Sequence, residues 1–154
     1  MRKDCYNGWQ EKLRYFFFRY DEYLHTKTGH ILKPALWSDI WKSSLSKTIE
    51  HVLPQNPKPE EWNHFTLDKR AKYLHSIGNL CLLPQRLNKE ADNKSFSDKK
   101  GVYKKSEIKA FDFILFEDEI HQKEKPERQE WTKETIEKRT EELIEFAKEQ
   151  WKDL

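Results

Sequence analysis

With 154 residues the chain has the length of one domain, and no apolar run approaches the roughly 18 residues of a bilayer-spanning helix. Hydrophobic and charged residues each make up 36%, with six Trp and nine Phe, so a ring-rich core under long solvated helices is expected and the four Gly argue against a turn-dense all-β fold. Lys and Arg (29) nearly balance Asp and Glu (27), so net charge alone selects no partner.

Residues 8–25 read as the first helix, because Trp9, Leu13, Phe16, Phe17, Tyr20 and Leu24 recur at helical spacing and Thr28-Gly29 offers a stop. Residues 37–42 read as one further short turn. From Lys47 to Leu53 the pattern changes. Thr48, Ile49 and Val52 favour a strand that Pro54 ends, and the three prolines of residues 54–64 predict an irregular loop. Thr66 is placed to cap a helix reaching about His75, with Leu67, Ala71 and Leu74 turned inward.

Gly78-Asn79 breaks that helix, and Leu80 to Leu83 form a short apolar strand ended by Pro84. Residues 85–94 read as a polar loop. Ser95, with Asp98 three residues on, has capping-box form and opens a helix carrying Phe96 and Tyr103. A helix over about 106–116 offers Ile108, Phe111 and Leu115 to the core. The last helix starts near Thr132 behind a Trp131–Ile136 staple, and Leu143, Ala147 and Trp151 continue its apolar face. The link before it, residues 121–130, is charged and contains Pro126.

The expected fold class is α+β and mostly helical, a single domain over 1–154. Its core, at about 47–105, runs strand, loop with a helix, strand, polar loop, helix, and helices 8–25 and 106–152 flank it. Between Arg86 and Lys109 eight basic residues face four acidic ones, a local footprint for phosphate contact. Cys5 and Cys81 match no metal or redox spacing and no signal peptide is present, which suits a reduced, cytoplasmic setting.

Strand one ends in Glu50-His51, and the loop after strand two holds Asn88 and Asn93. Hydrolysis of a phosphodiester needs a base that works near neutral pH, a cation to offset charge on the phosphoryl group, and ligands for that cation. Histidine, with an ordinary pKa of about 6.5, suits the first task. The oxygens of Glu50 and Asn88 suit the third and favour Mg²⁺ or Mn²⁺. Adjacent strand residues point to opposite faces, so Glu50 and His51 share a site only if the strand is distorted or ending there. By itself each residue has an ordinary structural reading. His64 and His75 in particular read as solvated or packing side chains, and Trp62 as packing.

Taken together, Glu50-His51-Val52-Leu53-Pro54, Gly78-Asn79-Leu80-Cys81-Leu82-Leu83, Asn88, Asn93 and Lys99-Lys100 resemble the HNH, or His-Me finger, nuclease motif. The closest resemblance is to the C-terminal domain of GmrSD-type, modification-dependent restriction endonucleases. It extends to Leu13-Arg14-Tyr15-Phe16, Tyr103 with Ser106, and Trp131 with Ile136 and Arg139. The resemblance implies a small ββα-metal core of two short antiparallel strands and a helix. It implies a metal-dependent DNA endonuclease of a restriction or anti-phage defence protein, with one Mg²⁺ (or Mn²⁺) per site.

Carried over position by position, His51 is the general base and Glu50 holds the metal where relatives often have Asp. Asn79 braces the loop around His51, and Asn88 lies near or on the metal. Lys99 and Lys100 contact phosphate, and Arg86, Lys89 and Asn93 join the nucleic-acid-binding set. The implied partner is DNA, with modified phage DNA a candidate. A nucleotide-hydrolysing N-terminal domain accompanies such domains, and these residues hold no phosphate-binding loop of that kind. The chain is then an excised domain or a stand-alone relative. The alternative reading is an inactive nucleic-acid-binding module derived from such a nuclease.

Overall fold

The computed structural model describes residues 6–117 and 124–153. Cys5, His121 and the first part of the 121–130 link lie outside the described residues. Among those described, seven α-helices surround one two-stranded sheet.

Helix α1 spans Gln10–Thr28 and closes on Gly29, whose positive φ of 73° lets its N–H reach the His25 carbonyl. Leu13, Phe17 and Tyr20 are its buried stripe. Helix α2, Pro34–Lys42, is longer than the single turn expected, since Pro34 presets the φ of its first turn. Arg14 pins the two helices by donating to the carbonyls of Ser43 (2.8 Å) and Trp41 (3.0 Å).

Strand β1 is short, Ile49–His51, because a 3-10 turn over Leu45–Thr48 takes up the preceding residues. It pairs antiparallel with β2, Leu80–Leu82, in the register Ile49↔Leu82, Glu50↔Cys81 and His51↔Leu80. Both strands are buried throughout, so the sheet lies inside the helical shell rather than on its surface.

Between them, α3 (Leu67–Tyr73) starts on Thr66, whose hydroxyl accepts from the Lys69 N–H. Its expected inner face is corrected. Leu67 is 80% exposed and Ala71 is exposed, Leu74 packs half-buried against the core as expected, and Tyr73 is buried and bonds Glu137. A seven-residue helix needs one ring to dock it, and it turns that ring to the core.

Residues expected as a polar loop instead form α4, Gln85–Ala91. Pro84 supplies the N-terminal turn, most residues of the segment are good helix formers, and Leu87 and Ala91, four residues apart, form its buried face. Asp92 ends it at φ 41°. Helix α5, Phe96–Lys104, is capped by Ser95, which accepts from Asp98 N–H at 3.2 Å. Helix α6 is confined to Phe111–Leu115.

Helix α7, Lys133–Gln150, begins on Thr132 and buries Ile136, Leu143 and Phe146. Trp131 and Ile136 are both fully buried at its start. Arg139, sealed from solvent, crosses to β2 and donates to the Gly78 (2.9 Å) and Leu80 (2.6 Å) carbonyls. This clamp and the burial of Gly78 against α7 fix the turn that carries Asn79.

Candidate active site

Two chain segments meet at β1, and Asn79 ties them together. Its Nδ2 donates to the carbonyls of Leu53 (3.0 Å) and Leu74 (2.9 Å). Its Oδ1 accepts from Leu53 N–H (2.8 Å) and from the Trp131 indole (3.0 Å). All four bonds of a buried amide are therefore used. The turn after His51, the end of α3 and the start of α7 hang on this one side chain.

The strand itself stays regular, and alternation sends its two chemical residues apart. His51 turns toward His75, with Nε2 and Nδ1 3.0 Å apart, and Tyr6 lies edge-on to it at 4.6 Å. Glu50 turns toward α5. Its Oε1 accepts from Lys99 Nζ at 2.6 Å and from the Tyr103 hydroxyl at 2.7 Å. Burial pushes the Glu50 carboxyl up, and the Lys99 ammonium and Tyr103 hydroxyl pull it back. Burial beside this carboxylate also raises the Tyr103 phenol well above its ordinary value.

Of the two conditions expected to let both side chains reach one site, the strand shows no distortion but does end at His51. Glu50 and His51 nevertheless share the wall of one cavity of about 430 Å³ with Lys47, Asn88, Lys89 and Asn93. Asn88 stands on α4 and donates through Nδ2 to the carbonyls of Lys47 (2.8 Å) and, more weakly, Ile49 (3.4 Å). With its amide hydrogens spent on main chain, the side-chain oxygen is the atom left for a ligand. Asn93 accepts from Asn56 N–H at 3.1 Å and so fastens the proline-rich loop to the far wall.

The oxygens of Glu50 and Asn88 suit a hard divalent cation in kind. No group of three or more His, Cys, Asp or Glu with metal-holding geometry occurs among the described residues. An ion held here would rely on the Glu50 carboxylate and the Asn88 amide oxygen, with water and substrate phosphate completing its shell, a pattern common for Mg²⁺.

The basic footprint needs correction. Lys99 is fully buried in its pair with Glu50, and also donates to the His51 carbonyl at 2.7 Å. Lys100 is 7% exposed and donates to the Arg128 carbonyl beside its ion pair with Glu127. Neither ammonium is presented to a phosphate, because the helix turns its Lys99-Lys100 face toward the core. Lys104, Lys105 and Lys109 pair with Glu127, Glu90 and Asp112. Arg86, Lys89 and Lys94 are exposed and carry no ion pair among the described residues, which moves the positive surface onto α4 and the turn after it.

Sequence reasoning passed over His75, Tyr6, Tyr103 and Lys47 as site residues. Only Tyr103 carried a signal, its place on the inner face of α5 one turn beyond Lys99. His64 donates through Nε2 to the Trp131 carbonyl (2.8 Å), and Trp62 is buried and donates its indole N–H to the Lys94 carbonyl (3.3 Å), both packing roles. No helix among the described residues is long and apolar enough to cross a membrane.

No curated protein and no solved structure matches the chain. The family described as GmrSD restriction endonucleases, C-terminal domain, matches residues 1–146. A match over nearly the whole sequence places the chain in that family of restriction endonuclease domains.

Proposed function

We propose that this domain is a divalent-metal-dependent DNA endonuclease of the HNH type that hydrolyses phosphodiester bonds, with His51 as its general base. The observation that carries the reading is the cavity whose wall holds His51, Glu50 and Asn88 together. His51 takes a proton from water, the water oxygen attacks phosphorus in line, and the 3′ oxygen leaves. Glu50 and Asn88 would hold a Mg²⁺ or Mn²⁺ ion, which would supply neutralisation of the charge that develops in the reaction. Asn79 holds the turn after His51 so that the ring keeps its place. Arg86 and Lys89 draw the DNA backbone to the cavity mouth, with Asn93 at its rim.

Its place in the family supports DNA as the substrate, modified phage DNA included, and a partner domain that hydrolyses nucleotide in longer proteins. The test is plasmid cleavage in Mg²⁺ and Mn²⁺ by wild type and His51→Ala. Loss of nicking with retained salt-sensitive DNA binding is the expected result. Cleavage by His51→Ala at the wild-type rate overturns the assignment. Binding without cleavage by the wild type identifies an inactive nucleic-acid-binding module instead.

A further inference from the structure

Lys99 and Tyr103 stand four residues apart on α5, so they share one face of that helix. Ser95, by capping the helix at its start, sets the phase that turns this face to β1. Both side chains end on the same atom. Glu50 Oε1 accepts from Lys99 Nζ at 2.6 Å and from the Tyr103 hydroxyl at 2.7 Å, and all three residues are buried. Each donor is itself held. The Tyr103 ring is stacked on Phe111 with centroids 4.4 Å apart, and its carbonyl accepts from the Ser106 hydroxyl at 2.8 Å. The Lys99 ammonium is tied as well to the His51 carbonyl at 2.7 Å.

A carboxylate oxygen has two lone-pair sites, and two donors take both of them on Oε1. Oε2 is then the atom that Glu50 has for the cavity it lines. Asn88, on the same wall, has spent its amide hydrogens on main chain and keeps its oxygen. Two oxygens from two elements thus remain for one hard cation, each steadied by hydrogen bonds at the other atom of its own group. The Tyr103 hydroxyl adds no charge to the site; what it adds is direction. We propose that Lys99 and Tyr103 are positioning residues for the nuclease reaction: together they anchor Glu50 Oε1 and so fix the plane in which Oε2 is offered to the ion. The inference rests on the reading of Glu50 as a metal ligand given above. Ligation by a carboxylate depends on its orientation, and the hydrogen-bond partners of a ligand set that orientation.

The clean variant is Tyr103→Phe, which keeps the stacked ring and removes one donor. Mn²⁺ binding to the chain without DNA, read from the EPR signal of the free ion, is expected to weaken about 10-fold. The Mn²⁺ concentration that half-saturates plasmid cleavage should rise by the same factor with kcat at saturating Mn²⁺ retained, the pattern of a lost binding interaction. Lys99→Met, wherever it folds, should weaken Mn²⁺ binding at least as much, and the Tyr103→Phe comparison does not depend on it. Mn²⁺ affinity equal to wild type in Tyr103→Phe overturns the proposal, because a hydrogen bond that served packing alone would leave it so. Glu50→Gln separates the two levels of the argument. Mn²⁺ binding that Glu50→Gln leaves intact defeats Glu50 as a metal ligand and the inference with it. Binding lost in Glu50→Gln and unchanged in Tyr103→Phe defeats only the positioning role.

Discussion

Lys99 Nζ lies 2.6 Å from Glu50 Oε1, and both side chains are sealed from solvent. The same ammonium reaches the His51 carbonyl, so one cation joins the acid of β1 to the main chain of its neighbour. Removing one partner of such a pair leaves an uncompensated buried charge, at a cost of about 3–5 kcal/mol. Lys99→Met should lose that much stability in urea unfolding. The double variant with Glu50→Gln should lose less than the two single changes added together. A Lys99→Met chain with the wild-type urea midpoint would show that the pair contributes nothing.

DNA affinity should depend on α4 rather than α5. Arg86→Ala and Lys89→Ala are each expected to lower the slope of log K against log salt by about one, the signature of one lost phosphate contact. Lys100→Ala should leave the slope unchanged, since its ammonium is committed to Arg128 and Glu127. Titrations of labelled DNA at several salt concentrations read both.

Asp21 makes stability depend on pH. It is 1% exposed, and burial raises its carboxyl to about 7 against the Ala110 and Lys109 main-chain N–H groups that pull it down. His25 stands 3.2 Å away, with Lys109 and Asp112 nearby. A raised acid keeps a proton in the folded state that the unfolded chain releases near pH 4, so its favourable contribution exists at low pH and disappears as pH climbs to about 7. The stability of Asp21→Asn relative to wild type should therefore increase between pH 5 and pH 8, on the order of 2 kcal/mol. A constant difference across that range would refute the assignment.

Gly78 leaves no room for a side chain. A Cβ there would strike the Ile136 carbonyl and the Thr140 hydroxyl, neither able to withdraw without disturbing α7. Gly78→Ala should cost about 1–3 kcal/mol and loosen the turn that carries Asn79. Thermal unfolding together with cleavage rate checks this, with cleavage expected to fall below what the stability loss alone explains.

The readable parts of the fold were those written in local chemistry. Thr66, Ser95 and Thr132 each cap the helix that follows, because a hydroxyl acceptor three residues before an N–H is a short-range device. The apolar strand before Pro84 and the staple at Trp131 are equally local. Helix α4 was obscure because its apolar period is one pair, Leu87 and Ala91, in seven residues, and the turn propensity of its flanks dominated. The direction of Lys99 was obscure for another reason. A lysine next to a capped helix start reads as open to a phosphate unless its distant partner is known, and Glu50 lies forty-nine residues away. His75 was misread likewise, since the contact to His51 spans twenty-four residues and depends on where Asn79 draws α3.

The four bonds of Asn79 also order events during synthesis. Leu53 and Leu74 lie before Asn79 in the chain, but the Trp131 indole and the Arg139 guanidinium that complete the turn emerge from the ribosome more than fifty residues later. A nascent chain therefore completes this turn only once α7 has been made. Ribosome-arrested chains halted before Trp131 should be cut by protease in the Leu53–Leu74 segment, while chains extended past α7 should resist it.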